Sequence, residues 1–220
     1  FEALDLGGNN ISDEAVAALA NVLPNISMLR SLRLSENRHI TTVGWGALLN
    51  TIQTHNSALE KLYLRGNNID DEVVNMMVDA LANMRSLKEL YLSSNQLITP
   101  SGWRTLSNLL RRPHSRLEEL YVHENGDIND EVVISFANAL VNNISLKTLQ
   151  FGSIESLLPG DGLSSPTLCN KSSIDSIYSS NHTLQMVMWK DDNLPSDLTS
   201  SLLLNKNDDK AEVARQKFLK

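Results

Sequence analysis

The residues able to ligate a metal, or to act as base and nucleophile, are sparse: five histidines and one cysteine in 220 residues. His39, His55, His114, His123 and His182 are scattered along the chain and do not pair at metal-ligand spacing. Cys169 stands alone, so neither an internal disulfide nor a cysteine-based zinc site can form. The sequence holds no glycine-rich phosphate loop, no G-x-S-x-G and no H-E-x-x-H. Glu118 and Glu119 are adjacent, but acid–base work needs a shielded pocket, and two neighbouring carboxylates read as a charged face. No catalytic residue, metal or cofactor is expected, and the chain does not read as an enzyme.

What does recur is suited to recognition. Tyr63, Tyr91 and Tyr121 are three of the four tyrosines in the chain. Tyrosine and arginine are over-represented in binding hot spots because they bring large contact area at low entropic cost. Their near-constant spacing demands a repeated element that brings them onto one surface.

That element is a frame, L-x-x-L-x-L-x-x-N. It occurs at Leu29-Leu32-Leu34-Asn37, Leu59-Leu62-Leu64-Asn67, Leu87-Leu90-Leu92-Asn95 and Leu117-Leu120-Val122-Asn125. Phe1-Leu4-Leu6-Asn9 is an earlier copy. Leu146-Leu149-Phe151 and Leu184-Val187-Trp189 are later ones. Starts at 1, 29, 59, 87, 117 and 146 are too evenly spaced for chance, and the last, at 184, follows a longer step. Each frame reads as a short strand with alternate leucines facing inward. Each is followed by a helical pattern, such as Val74, Met77, Val78 and Leu81 or Val133, Phe136, Ala137 and Leu140. Strands stack at about 4.8 Å and helices are wider, so the stack must curve with its strands inside.

Two unit types alternate. Ser12-Asp13-Glu14, Asp70-Asp71-Glu72 and Asn129-Asp130-Glu131 open helices in the first, third and fifth units. The second and fourth carry Ile40-Thr41…Gly44-Trp45 and Ile98-Thr99…Gly102-Trp103, so the true period is a pair of units. Trp45 and Trp103 fall on the core side, and the glycine before each is expected to make room for the indole or ease the bend. Trp189 also falls at a core position.

These frames, with segments such as Asn9-Asn10-Ile11-Ser12-Asp13-Glu14, resemble the ribonuclease-inhibitor-like class of leucine-rich-repeat proteins, over residues 1 to about 150. The inhibitor itself is cysteine-rich, unlike this chain. The resemblance implies an α/β fold: a right-handed βα solenoid or horseshoe, with a parallel sheet on the concave face and helices on the convex face. It also implies that the horseshoe binds proteins.

We expect one domain over 1–220, with units 1–28, 29–58, 59–86, 87–116, 117–145, 146–183 and 184–220. The sixth carries a turn-rich insertion at 153–170, then a short helix near 173–178. The segment 190–220 reads as a helical C-terminal cap, with helix starts at Pro195-Ser196-Asp197 and Asp208-Asp209. The chain opens within a frame, which reads as a truncated N-terminus with a bare edge strand.

The residues pointing out of the strands are the candidate partner site: Arg33, Lys61, Tyr63, Arg65, Glu89, Tyr91, Glu119, Tyr121 and His123. Ser35 and Ser93 fall in the same outward columns. Asn9, Asn37, Asn67, Asn95 and Asn125 read instead as a structural ladder that satisfies buried turn groups, and Asn95→Ala is expected to cost about 1–3 kcal/mol.

A net charge of −7 argues against nucleic acid and against an anionic membrane surface, and favours a somewhat basic protein partner. No run is long and apolar enough to span a bilayer. The lone thiol fits a reducing compartment, cytoplasm or nucleus. The sequons at Asn25, Asn143, Asn170 and Asn181 read as turn residues rather than glycosylation sites. A monomer is expected, with end-to-end association through the N-terminal edge as the alternative. Two other functions stay open: a regulator of a small GTPase, since GTPase-activating proteins for Ran share this repeat class, and a ligand-sensing segment of a larger receptor.

Overall fold

A computed structural model describes residues 1–152, apart from 56, 57, 83, 113, 114, 127 and 142, and then 183–189, 202–207, 209, 212 and 213. Seven strands, β1 (Ala3–Asp5), β2 (Ser31–Arg33), β3 (Lys61–Tyr63), β4 (Glu89–Tyr91), β5 (Glu119–Tyr121), β6 (Thr148–Gly152) and β7 (Met186–Trp189), form one parallel sheet in chain order. Helices α1 (Asp13–Val22), α2 (Thr42–Thr54), α3 (Asp71–Leu81), α4 (Pro100–Ser107) and α5 (Asp130–Leu140) link the strands from β1 to β6. Each helix packs on the next, so the described chain is the expected α/β solenoid.

The frame leucines explain the register. Leu4, Leu32, Leu62, Leu90, Leu120 and Leu149 lie side by side across six strands. From Leu32 to Leu149 they are buried. Each three-residue strand is too short to persist alone. The sheet is held by the core beneath it, where each fully buried leucine contributes about 1.5–3 kcal/mol. Val16, Trp45, Val74, Trp103 and Val133 close that core from the helix side, with Trp45 and Trp103 buried as expected.

The alternation of unit types has a physical origin in a carboxylate clip. The Thr41 N–H and hydroxyl donate to the two carboxylate oxygens of Asp13 at 2.7 and 2.6 Å. Thr99 does the same to Asp71 at 2.8 and 2.6 Å. The clip corrects the reading of the two glycines. A Cβ on Gly44 would overlap Asp13 Oδ1, and one on Gly102 would overlap Asp71 Oδ1. The glycines make room for the preceding unit's carboxylate, not for the indole.

The clip has a pH signature. The Thr41 hydroxyl, helped by its backbone N–H and that of Gly44 and opposed by burial, holds the Asp13 carboxyl below its ordinary value. With the folded value below the unfolded one of about 3.9, the stabilisation is complete above that pH. It is lost as pH falls through the lower folded value. The stability difference between the native chain and Thr41→Val should therefore be constant at neutral pH and shrink on acidification below about pH 4. A difference in urea midpoint that stays flat down to the acid transition would contradict this.

The asparagine ladder is equally explicit. Asn95 Oδ1 accepts the N–H groups of Asn67 and Ile69 at 2.9 and 3.2 Å. Its amide donates to the carbonyls of Leu64, Leu92 and Ser93 at 3.0, 2.9 and 3.3 Å. Asn37 makes the same bridge to Asn9, Ile11, Leu6, Leu34 and Ser35. Asn67 and Asn125 also join neighbouring units. Asn9 is exposed, and its amide bonds only the nearby Gly7 carbonyl. Asn143, the residue of one sequon, is 4% exposed. Its side chain bonds the backbone at Leu110, Ser145 and Leu146, which supports the turn reading there.

One register differs from expectation. Leu149 pairs with Val187, but Trp189 pairs with Gly152 rather than Phe151, because the ladder shifts after Gln150. Near the C-terminus, 202–204 and 212–213 are helical, and Leu202 and Val213 are buried. The insertion at 153–170, the expected helix at 173–178, Cys169, Asn170, Asn181 and the helix starts at 195–197 and Asp208 lie outside the described residues.

Candidate functional site

The in-register strands place Arg33, Tyr63, Tyr91, Tyr121 and Gln150 in one row on the face opposite the leucines. The tyrosines form a continuous stack. Ring centroids of Tyr63 and Tyr91 are 4.3 Å apart with planes 21° off parallel, and those of Tyr91 and Tyr121 are 4.3 Å apart at 5°. That spacing is below the roughly 4.8 Å between strands, as expected for side chains on the inside of a curve. Each ring is half-buried by its neighbours.

The hydroxyls are tied down as well. Tyr63 and Tyr91 donate to Glu89 Oε2 at 3.4 and 3.2 Å, and Tyr121 donates to Glu119 Oε2 at 2.8 Å. Lys61 pairs with the other oxygen of Glu89 at 2.6 Å. Burial, reinforced by the nearby carboxylates, pushes all three tyrosines up, so they remain neutral donors at any physiological pH.

Beside the stack, Arg65 reaches Glu124 Oε2 at 2.7 Å and lies 3.9 Å from Glu36. Glu36, Ser94 and Glu124 occupy left-handed backbone at φ 60, 59 and 57°, one position before each ladder asparagine. The first and third units have glycine there, Gly8 and Gly66. Sequence reading missed this row of turn side chains. The signal was present, as a variable residue at a position glycine fills in other units.

A second row was also missed. Arg30, Glu60, Lys88, Glu118 and Lys147 alternate in sign along the wall. Arg30 and Lys88 both pair with Glu60, and Lys147 pairs with Glu118. Writing out the second frame position of each unit would have shown it. These exposed pairs favour the correct neighbour more than they add stability.

The structure corrects one column. Ser35 and Ser93, expected to point outward, are 4% and 1% exposed. His123 lies over Ser93, with Ser93 Oγ and His123 Nδ1 3.0 Å apart, and its ring meets Tyr121 edge-on at 6.4 Å. Burial lowers the His123 pKa, so the ring is neutral at pH 7. This Ser–His pair does not make a nucleophilic centre. The hydroxyl is covered, and the neighbouring N–H of Ser94 is already donated to the His123 carbonyl.

Among the described residues no group of histidine, cysteine, aspartate or glutamate could hold a metal ion. Among the same residues no helix is long and apolar enough to cross a membrane. A cavity of about 40 Å³ lined by core residues including Leu29, Leu32, Ile52 and Leu59 is far smaller than a substrate pocket.

Comparison with known proteins agrees with this architecture. A family profile described as Leucine Rich repeat matches residues 1–20, 55–72 and 83–107. Leucine-rich repeat-containing protein 73 of Rattus norvegicus and of Homo sapiens are each 34% identical over 126 residues, 56% of this chain and 39% of theirs. Tonsoku-like protein of Danio rerio is 33% identical over 94 residues, 43% of this chain and 6% of that protein. The chain therefore spans well under half the length of these relatives. Among solved structures, Leiomodin-1 Actin-Binding Site 2 matches with a TM-score of 0.57 over 81% of this chain and 95% of that one. At 14% identity that likeness concerns the fold alone.

Proposed function

We propose that this leucine-rich-repeat solenoid is a non-catalytic protein-recognition module whose partner docks on the inner wall. Tyr63, Tyr91 and Tyr121 form the centre of the site, with Arg33, Lys61, Arg65, Glu89, Glu119 and His123 around them. The observation that carries this reading is the ordered stack. Two 4.3 Å ring contacts and three hydroxyl–carboxylate bonds hold the aromatic area in place before any partner arrives. Binding then costs little side-chain entropy, the condition under which aromatic area converts to affinity.

The bland account is that tyrosine suits strands and stacks well across them. A fold-stabilising role predicts lost stability on mutation, whereas a binding role predicts lost affinity in a chain that still folds. The triple variant Tyr63→Ser/Tyr91→Ser/Tyr121→Ser, checked for native far-UV dichroism, should lose a native partner's binding by on the order of 10,000-fold, at about 2 kcal/mol per hot-spot ring. Undiminished capture by the folded variant would overturn the proposal.

A further inference from the structure

We propose that the β6 side of the tyrosine stack is a subsite for an arginine of the partner, received between the outer face of Tyr121 and the Glu119 carboxylate. This rests on the reading of the wall as a docking surface and adds what kind of group it takes.

The first observation is charge. From β2 to β6 the carboxylates of the wall and its turns have cations within 4.0 Å: Glu36 with Arg38 and Arg65, Glu60 with Arg30 and Lys88, Glu89 with Lys61, Glu118 with Lys147 and Glu124 with Arg65. The cations there are likewise matched, Arg33 lying 3.8 Å from Asp5. Glu119 is the exception. Among the described residues it has no cation within 4.0 Å, and only its Oε2 is engaged, by the Tyr121 hydroxyl. It also stands in register beside Glu89, whose own cation is Lys61, so the pair of acidic residues shares one matched charge and leaves Glu119 for a partner's cation.

The second observation is that the ring stack ends at Tyr121, with no further parallel ring beyond it among the described residues. Tyr91 covers one face of Tyr121, and His123 meets Tyr121 edge-on. The strand on the other side offers Gln150 and Thr148, both uncharged, opposite Tyr121 and Glu119. The opposite end of the stack is different, because Arg33 is the register neighbour of Tyr63 there and already supplies a positive charge. The wall therefore admits a cation at the Tyr121 end and disfavours one at the Tyr63 end. A guanidinium suits the place better than an ammonium, since a planar cation can stack on the ring while donating sideways to a carboxylate.

The test uses a displayed random dodecapeptide library selected on the intact chain, retaining binders that the folded triple tyrosine variant no longer holds. These binders should share a required arginine. Glu119→Gln should weaken them about tenfold or more, and Glu118→Gln, which removes a carboxylate already paired with Lys147, by less than about twofold. Replacing the peptide arginine by citrulline should give the same loss, with no further loss in Glu119→Gln. Tyrosine-dependent binders with no basic requirement, or unchanged by Glu119→Gln, would overturn the subsite and leave the wall reading intact. A library yielding no tyrosine-dependent binder would count against both.

Discussion

Replacing Asn95 by alanine should lower stability by about 3–5 kcal/mol, more than the about 1–3 kcal/mol expected from sequence, because the side chain makes five hydrogen bonds rather than one. The side chain is fully buried and satisfies two backbone N–H groups and three carbonyls in units three and four at once. Alanine fills none of these roles, and each buried group left unpaired costs about 1–3 kcal/mol, less where water can enter. The urea midpoint should fall by about 1 M or more. Asn9→Ala is the internal control, because the Asn9 side chain is exposed and bonds the Gly7 carbonyl of its own turn, while its backbone N–H bond to Asn37 survives the substitution; its effect should stay within about 0.5 kcal/mol. Equal midpoints for the two variants would show that the ladder does not hold adjacent units together.

Gly102→Ala should be nearly as damaging, at about 2–4 kcal/mol. The new methyl would enter the space of the Asp71 carboxylate, forcing that group away from both Thr99 donors. The mechanism makes a sharper claim than the magnitude does. Asp71→Ala removes the nearest obstacle as well as the clip, leaving only the Ile98 methyl close to the new Cβ, so the double variant should be less destabilised than the sum of the singles, by about 1–3 kcal/mol of coupling. Additive effects would mean that the glycine serves some other need, such as indole packing, and that the paired period has another origin.

The fold was legible because one short pattern repeats. Leucines at the frame positions define the strands, the register and the buried face together, and Asn37, Asn67 and Asn95 have the bridging role that their position implied. The tyrosine row was legible for the same reason, since equal spacing in sequence becomes adjacency in space. What escaped the sequence was contact between units. Asp13 reaches Thr41 across 28 residues, and Arg65 meets Glu124 across 59. No local pattern joins those residues, so Gly44 and Gly102 were assigned to the nearest large side chain. Ser35 and Ser93 were misplaced because a small residue in an outward column is covered by longer neighbours such as His123. The shift after Gln150 follows an unequal unit, where even spacing no longer sets register.

A partner docked on the inner wall would cover the stacked tyrosines. Hydroxyl-radical footprinting of the free chain and of the chain with a captured partner reads this directly. Met28 and Ile144, which are 61% and 81% exposed and lie outside the strands, serve as references. Oxidation of Tyr63, Tyr91 and Tyr121 should drop several-fold in the complex while the two reference residues react as before. Unchanged tyrosine oxidation together with protection of Met28 or Ile144 would place the partner elsewhere and rule out docking on the tyrosine stack.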